Sequence, residues 1–508
     1  MVLGRQTGNE PWGTNRRCRA AILLGSLAVI LQGCSNQEFM PSLAFPPPDK
    51  YEAATGASVR PAVSRWWARF GSPELNRLMD EADTENLDIK VAVAQLREAE
   101  AQINISGAPL WPQISFADDN VRSQSSGTLA HGVINKPQAR NTLTRALSVS
   151  YIFDVWGQNR DALDAALRTA AASAYQVEVV RLITRAAVVD NYLTYAANWE
   201  RVEVADQNLA NARRVLQVIR QRKEAGTASD LDVSQQATLV ETQRAAIPVL
   251  RQTAGSSRLA LALLLGRPAQ SLDLKRKNIL KLDLPTVRPG LPSDLLFRRP
   301  DIRAAEEQLE SASANVEVAR KAFLPTIELT GDVGFQSALL STLLRPESLI
   351  YSVAASLTQP IFQGGRLRGQ LELTQAQRQA LLETYRKSVV AALTDVERAL
   401  IAIRETAAQE LAQTAAVKAA RQAFKLSEDR LGQGVIDVTQ LLTTQNTLFQ
   451  AEDALIQVRL ARLQAVVSLF QAIGGDWVEP VTVISRYQPC DSGAIERRKD
   501  AGGDRCTL

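Results

Sequence analysis

The chain contains one long unit twice. Residues 88–114 realign without a gap on residues 301–327, which lie 213 positions further along. A second stretch, from Gly226 to Gly266, realigns on Gly434 to Gly474 at an offset of 208. A long internal repeat of helical and strand segments is first of all an architectural feature, and it constrains the fold before any chemistry is considered.

Each repeat contains two segments in which apolar and polar residues alternate, the pattern of strands with one wet face. The four segments are Gln113–Arg122, Leu143–Phe153, Thr326–Phe335 and Leu349–Leu357. In the second, Leu147, Val149 and Tyr151 alternate with serines, whereas the first shows the pattern weakly. Each has about ten residues, the length that a tilted strand needs to cross a bilayer. We predict hairpins at about 113–155 and 326–362.

The rest of each repeat is predicted to be helical. The stretch 158–223 contains no proline or glycine, and its apolar residues step by three and four, as in a coiled coil with small knobs. The first repeat, 74–287, is expected to contain helices at about 74–107, 158–223 and 230–265. The second repeat, 288–475, is expected to contain helices at about 301–323, 366–431 and 437–473.

The composition excludes several classes of function. The net charge is +4 over 508 residues, and no basic stripe marks a nucleic-acid surface. One histidine, His131, and four cysteines leave little material for a metal site. The sequence has no catalytic triad and no phosphate loop, and Gly364-Gly365 is a turn before a helix. We predict a protein that is not an enzyme, holds no cofactor and takes its energy from a partner.

The N-terminus carries an export signal. Basic residues at 16–19 precede an apolar run that is too short to cross a bilayer and that ends at Gly33-Cys34. Small residues before a cysteine resemble the lipoprotein box of bacteria. We therefore predict a signal peptide at 1–33 and a mature chain that begins at Cys34 with S-diacylglycerol and N-acyl groups. An ordinary signal peptide with a chance cysteine is the alternative.

The segments outside the repeats have a different composition. Residues 34–73 are rich in proline and small residues and are expected to form an extended tether. Residues 476–508 are polar and are expected to be disordered. Cys490 and Cys506 lie in this tail, and the sequence leaves open whether they pair.

Four strands cannot close a barrel, because about eight is the smallest number that can. Two copies of the chain would supply eight strands and an interior filled by side chains, whereas three would supply twelve and a water-filled lumen. The predicted fold class is therefore mainly α with a membrane β-barrel that several chains build together. All helices leave the hairpins on the same side, so they would continue the tube there.

Several motifs occur in order between about residues 60 and 475. They are Trp66-Trp67-Ala68-Arg69-Phe70, 151–157, 265–268, 298–302 and 359–366. Together with Cys34 they resemble the TolC-like outer-membrane factor family, and within it the lipoprotein branch of the NodT and OprM type. Ser35 after the cysteine is typical of lipoproteins sent to the outer membrane.

The resemblance implies a homotrimer with a twelve-stranded outer-membrane barrel, four strands from each chain, continued by a long periplasmic α-helical barrel. Such conduits work with a periplasmic adaptor protein and an inner-membrane pump of the RND type, and they export drugs, solvents, metals or other small molecules. The chain would be anchored in outer-membrane lipid through Cys34. Residues 123–141 and 337–348 would form the extracellular loops.

The turns between long and short helices would form the tip of the helical barrel, which in the family closes and carries acidic rings and charged links. The candidate gate residues are Arg222, Lys223, Asp230, Asp232, Arg430, Asp437, Gln440 and Thr443. Other family members have aspartates where this chain has Gln440 and Thr443. Asp230 and Asp437 also fit the start of a helix, where carboxylates are favourable.

Two other functions stay open. A conduit of the same fold could serve type I secretion and pass proteins instead of small molecules. A periplasmic coiled-coil lipoprotein without a pore would explain the helices and Cys34, but not the four amphipathic strands.

Overall fold

A computed structural model describes residues 65–124, 126, 139–285, 290–475 and 477, together with 46, 48 and 50–53 of the N-terminal segment. Cys34, His131, Cys490 and Cys506 lie outside the described residues. So do the signal peptide and most of the first hairpin loop.

Apart from the first helix, the two repeats contain the same elements in the same order. The first repeat begins with helix α1 (Pro73–Glu85) and continues with α2 (Leu87–Gly107), β1 (Gln113–Gln124), β2 (Ala139–Phe153), α3 (Gln158–Glu224) and α4 (Asp230–Leu264). The second repeat consists of α5 (Pro300–Lys321), β3 (Thr326–Ser337), β4 (Leu349–Thr358), α6 (Arg366–Gly432) and α7 (Val438–Ala472). Short 3-10 turns and one helical turn, Leu295–Arg298, connect them.

The two long helices have the same length, and so have the two helices that follow them. The long helices α3 and α6 have 67 residues each, and α4 and α7 have 35 each. Both long helices follow a glycine with left-handed backbone, Gly157 and Gly365. At 1.5 Å per residue, each long helix measures about 100 Å. The repeats differ in length mainly within the first hairpin, where the offset changes from 213 to 208.

The four strands form one antiparallel sheet in the order β1-β2-β3-β4. The two hairpins join through its middle, where Leu147 lies beside Val333. β1 and β4 each pair on one side only, so a single chain leaves a free edge at both sides of the sheet. Such edges expose backbone donors and acceptors that another strand can satisfy.

The strands extend further toward the loops than predicted. β1 runs to Gln124 and β2 begins at Ala139, so the expected loop 123–141 is shorter at both ends. The second loop follows Ser337 and contains two 3-10 turns, Leu340–Thr342 and Pro346–Ser348.

The helices lie side by side in two tiers. Helices α3 and α6 run through both tiers. Near the sheet the lateral order is α2-α3-α5-α6, and beyond the middle it is α4-α3-α7-α6. Each tier therefore has four helices per chain, with α2 or α4 at one edge and α6 at the other.

The largest core lies at the middle of the helical part, where α1 and the segment before it pack on α3 and α7. Trp66 is fully buried there and stacks on Phe470, with the ring centroids 4.7 Å apart. Residues Trp66–Phe70 form a 3-10 helix. The expected extended tether is therefore wrong for its last part, because burial of three large aromatic side chains outweighs the flexibility that its composition indicates.

The predicted helix 74–107 is also wrong, because the chain turns at Asn86 and forms two helices. The Asn86 side chain accepts a hydrogen bond from the backbone N–H of Ile89 at 2.9 Å and so caps α2. Its amide donates to the carbonyl of Leu264 at 2.7 Å. A cap with extended ψ starts a new helix in a new direction.

Equivalent glycines hold the ends of the returning helices against the repeat that each completes. Gly266 follows α4 and Gly474 follows α7, and both have positive φ, +64° and +92°. A Cβ atom on Gly266 would overlap the carbonyl oxygen of Glu85, and one on Gly474 would overlap that of Arg298. Only glycine combines this backbone conformation with so close an approach.

A hydrogen bond beside each glycine fixes the same junction. The Asn86 bond to Leu264 has an equivalent in the second repeat, where Arg299 donates to the carbonyl of Ala472 at 3.0 Å. The two repeats thus reproduce the contact with different side chains.

The start of the C-terminal tail is docked on the helices. The Trp477 indole N–H donates to the carbonyl of Arg298, and its ring meets Tyr175 edge-on at 5.8 Å. The prediction of disorder for 476–508 therefore does not hold at Trp477, and residues 478–508 lie outside the described part.

Candidate functional site

One face of the sheet is apolar over most of its height. The register places Phe116, Leu147, Val333 and Tyr351 in one row across all four strands. The rows toward the helices continue with Ile114, Val149, Tyr151, Phe153, Ile327, Leu329, Val353 and Leu357. Val353 is 87% exposed in the single chain. A broad exposed apolar band on strands of this length is suited to contact lipid.

The opposite face is polar and built from small side chains. One row consists of Ser115, Ser148, Asp332 and Ser352. The Ser352 hydroxyl donates to the Asp332 carboxylate at 2.8 Å. A closed barrel with this face inside would have a hydrated lumen, because serine and alanine leave space that larger side chains would fill.

Exposed aromatic residues mark the level at which the sheet meets the helices. Trp111, Trp156 and Phe362 are exposed there. The Trp156 indole donates to the carbonyl of Pro325 at 2.7 Å, which fixes its ring at this level. Aromatic side chains of this kind are typical of the boundary between bilayer and water.

The opposite end of the long helices carries two equivalent turns, which we call the tip. Ser229 and Asp437 occupy the same position and are the N-caps of α4 and α7. Ser229 forms a capping box with Asp232, whose carboxylate accepts from the Ser229 backbone N–H at 2.8 Å. Asp437 accepts from the backbone N–H of Gln440 at 2.8 Å. The helix-cap interpretation of Asp437 is therefore confirmed.

Arg222 links the two turns of the tip inside one chain. Its guanidinium donates to the carbonyl of Leu431, near the end of α6. Lys223 pairs instead with Asp230, in the first turn of α4. Arg222 thus joins the two turns through Leu431, which is not one of the candidate gate residues, and the shared packing of Ile219, Leu431 and Leu441 supports the link.

Two of the basic candidate gate residues have partners other than Asp437 within the chain. Arg222 and Lys223 bind Leu431 and Asp230, as described above. Arg430 is exposed near the end of α6. The Thr443 hydroxyl donates to the carbonyl of Thr439, within its own helix, at 2.9 Å. Asp437 therefore stands at the tip as an exposed carboxylate on a helix cap.

A buried polar pair above the tip was not predicted. Gln236 and Gln445 are fully buried, and the Gln236 amide donates to the Gln445 side-chain oxygen at 3.2 Å and to the carbonyl of Ala212 at 2.8 Å. Glutamines at seam positions of α4 and α7 were the available signal in the sequence. A buried polar pair of this kind fixes the register of packed helices.

No helix among the described residues combines the length and the apolarity that a membrane crossing requires.

The family model for the outer membrane efflux protein matches residues 78–267 and 291–475, one match to each repeat. The chain belongs to the outer membrane efflux protein family. It is 37% identical to the pyoverdine export outer membrane protein OpmQ of Pseudomonas aeruginosa over 90% of this chain and 96% of that protein. It is 30% identical to the toluene efflux pump outer membrane protein TtgF of Pseudomonas putida over 89% of this chain and 96% of that protein.

Solved structures agree with the fold. The outer-membrane channel OprN superposes with a TM-score of 0.82 at 26% identity, over 88% of this chain and 100% of that chain. The predicted fold class is confirmed: the family member forms a trimeric outer-membrane channel, to which each chain contributes four strands and its share of the helical barrel. A closed twelve-stranded barrel requires the free edges of β1 and β4 to pair with those of neighbouring chains.

Membership of the family also confirms the predicted function and location. The outer membrane efflux protein is a conduit, not an enzyme, and it is the outer-membrane component of tripartite efflux. The apolar face of the sheet therefore contacts outer-membrane lipid, and the polar face lines the lumen.

Proposed function

We propose that this channel is completed by a periplasmic adaptor protein and an inner-membrane pump of the RND type, and that it passes small organic molecules. The observation that carries the proposal is the continuity of a lipid-facing sheet with helices about 100 Å long that end in an exposed tip. Relatives named for pyoverdine export and for toluene efflux support small molecules as the cargo.

The tip offers an apolar surface to an adaptor. Leu231 and Val435 are 65% and 67% exposed on the two equivalent turns. A photo-reactive amino acid placed at Val435 is expected to cross-link to the adaptor in cells. The same amino acid at Glu405, an exposed position within α6, is the control and should give no such product. Absence of any adaptor product from Val435 and Leu231 would contradict docking at the tip.

A deletion strain separates small-molecule efflux from type I secretion. Loss of the gene should increase the susceptibility of the cells to solvents or drugs, and the wild-type gene should restore resistance. Loss of a secreted protein with unchanged susceptibility would favour type I secretion instead.

We also propose that Cys34 carries the lipid groups that anchor the mature chain. The short apolar run before Gly33-Cys34 supports this, and several acyl chains hold a protein far more firmly than one. Mass spectrometry of the mature N-terminal peptide should show the diacylglycerol and N-acyl groups. An unmodified peptide containing Cys34 would contradict the assignment.

The loops at the far end of the sheet are proposed to face the outside of the cell. The helices leave the sheet at the opposite end, so the hairpin loops project away from the periplasm. A single cysteine at Ser341 should react with an impermeant reagent in whole cells. Reaction only after the outer membrane is broken would reverse the topology.

A further inference from the structure

We infer that the barrel lumen is a charge-selective passage in which Glu328, Asp332 and Asp119 favour cationic over anionic solutes. The inference rests on the conduit function and adds a property of the barrel itself. It assigns a specificity role to a part of the channel that is distant from the tip.

The register places these carboxylates on the polar face at three separate levels. Glu328 lies beside Ser356 on β4, and Asp332 lies beside Ser352. Asp119 lies beside Thr144, whose other neighbour is Gln336. Positions 328, 332 and 336 follow one another at four-residue intervals on β3. The levels are therefore about 13 Å apart along the strand, at about 3.3 Å per residue.

Positive charge is scarce on the same face. Within the described strands, Arg140 is the one basic residue on the polar face, and it lies near the loop end of β2. Arg145 and Arg122 lie on the opposite, lipid-facing side of the sheet. There Arg145 pairs with Asp118 at 3.1 Å. The described strands of each chain thus give the lumen three carboxylates and one guanidinium.

Threefold assembly multiplies this imbalance. Three chains place three carboxylates at each level around one water-filled lumen, and the surrounding strands and lipid are poor at screening charge. A confined passage with walls of low dielectric constant concentrates the field of its charges. A solute passing the Asp332 level therefore meets several negative charges within about one Debye length, roughly 8–10 Å.

The accessibility of a lumen thiol to charged reagents tests the inference. Ala354 faces the lumen, midway between the levels of Glu328 and Asp332, and hydrogen-bonds to neither carboxylate. An Ala354→Cys variant, in a chain with Cys490 and Cys506 replaced by serine, is reconstituted in lipid nanodiscs. The rates of its modification by cationic and anionic methanethiosulfonates are then measured by mass spectrometry.

The measured quantity is the cationic-to-anionic rate ratio, corrected by the same ratio for a free thiol. At low salt we expect Asp332→Asn to lower this ratio by about fivefold, since removing a unit charge roughly 7 Å away changes both rates in opposite senses. Glu328→Gln should have a similar effect. In 1 M salt the ratio for the Ala354→Cys chain should approach that of the free thiol, because the Debye length falls to about 3 Å.

Two controls lie on the other face, Asp118 next to the lumen residue Asp119 and Val353 next to the probe position. Asp118→Asn makes the same chemical change on the lipid-facing side and should leave the ratio unaltered. Val353→Cys, one residue from the probe, should not react with either charged reagent. The inference is wrong if the thiol of the Ala354→Cys variant reacts but its cationic-to-anionic rate ratio does not change with Asp332→Asn, with Glu328→Gln or with salt. If that thiol is inert while a cysteine at Ser341 reacts, position 354 does not face a water-filled lumen, and the conduit assignment is wrong together with the inference.

Discussion

Ser229 and Asp437 occupy the same position in the two repeats. Comparing them distinguishes the capping role of the Asp437 carboxylate from the effect of its charge. Both side chains cap a helix, but only Asp437 brings a charge. Three symmetry-related copies of Asp437 would face one narrow opening if the tip closes. Like charges in that opening would favour cations and would hold anions back. We propose this gating role for Asp437 in addition to its cap.

Replacing Asp437 by serine should preserve the cap, as Ser229 shows, and remove the charge. In planar bilayers we expect a weaker preference for cations and a lower cation conductance than in the wild type, because the opening no longer concentrates cations. Asp437→Ala should show the same change together with a loss of about 1 kcal/mol from the missing cap. Glu405→Ala is the matched control and should alter neither property. A wild-type conductance and selectivity in Asp437→Ser would leave only the capping role.

Asp190 is a residue whose ionisation opposes folding. It lies on α3, and burial raises the pKa of its carboxyl to about 7 from an ordinary value of 3.8. No described residue donates a hydrogen bond to its buried Oδ1. Since the folded chain holds the proton more tightly than the unfolded chain, stability falls as pH rises from about 4 to about 7 and then levels off.

Asp190→Asn should remove this pH dependence. We expect the variant to gain thermal stability over the wild type, with a larger gain at pH 7.5 than at pH 4.5. Heat-dependent loss of the trimer on gels, measured at both values, provides the comparison. An equal difference at the two pH values would contradict the raised pKa of Asp190 in the folded trimer.

At the scale of the element, two glycines that follow helices allow the cost of backbone strain to be measured apart from the cost of steric overlap. Gly474→Ala should destabilise the fold by more than the roughly 1–2 kcal/mol that positive φ alone costs, because its Cβ would overlap the Arg298 carbonyl oxygen. Gly226 has a similar φ, +76°, and a Cβ there would meet nothing within 4 Å, so Gly226→Ala reports the strain alone. Denaturation midpoints that fall equally in both variants would contradict the overlap.

Most elements could be predicted from the sequence because their signals are local or repeated. The alternation in 143–153 and the proline-free stretch 158–223 correspond to β2 and α3. The break at Asn86 could have been found from an asparagine followed by Asp88, a helix-start pattern. Burial of Trp66 could not, because its partner Phe470 is distant in sequence. The candidate gate residues lie in the two turns, as predicted, but the bond from Arg222 to Leu431 depends on a contact between repeats that periodicity does not specify.

At the scale of the whole molecule, the repeat indicates where neighbouring chains meet. Leu193 on α3 and Val467 on α7 are fully buried inside one chain. Their equivalents in the other repeat, Ile401 on α6 and Leu259 on α4, are 43% and 56% exposed. Because α4 and α6 lie at the two edges of the helical tier that is farther from the sheet, we expect Ile401 of one chain to pack near Leu259 of the next. The seam between chains would then copy the seam between repeats.

Ile401→Asp or Leu259→Asp should weaken the trimer, since each would place an unpaired charge in an apolar seam. Leu426→Asp is the control, because Leu426 and its equivalent Val218 are both exposed. Native gels should show monomers for the first two variants and trimers for the third. Intact trimers in all three would place the seam elsewhere.

The equal lengths of α3 and α6, and of α4 and α7, have a consequence for how such a chain can change. One inserted residue turns everything beyond it by about 100° and shifts it by about 1.5 Å, so a single insertion in α6 would take every later apolar side chain out of its seam. Substitutions leave this geometry intact, and the two copies have accumulated many of them. The one clear difference in length lies in a hairpin, where extra residues can bulge into water. In the helical part, the chain therefore tolerates substitutions but not insertions or deletions.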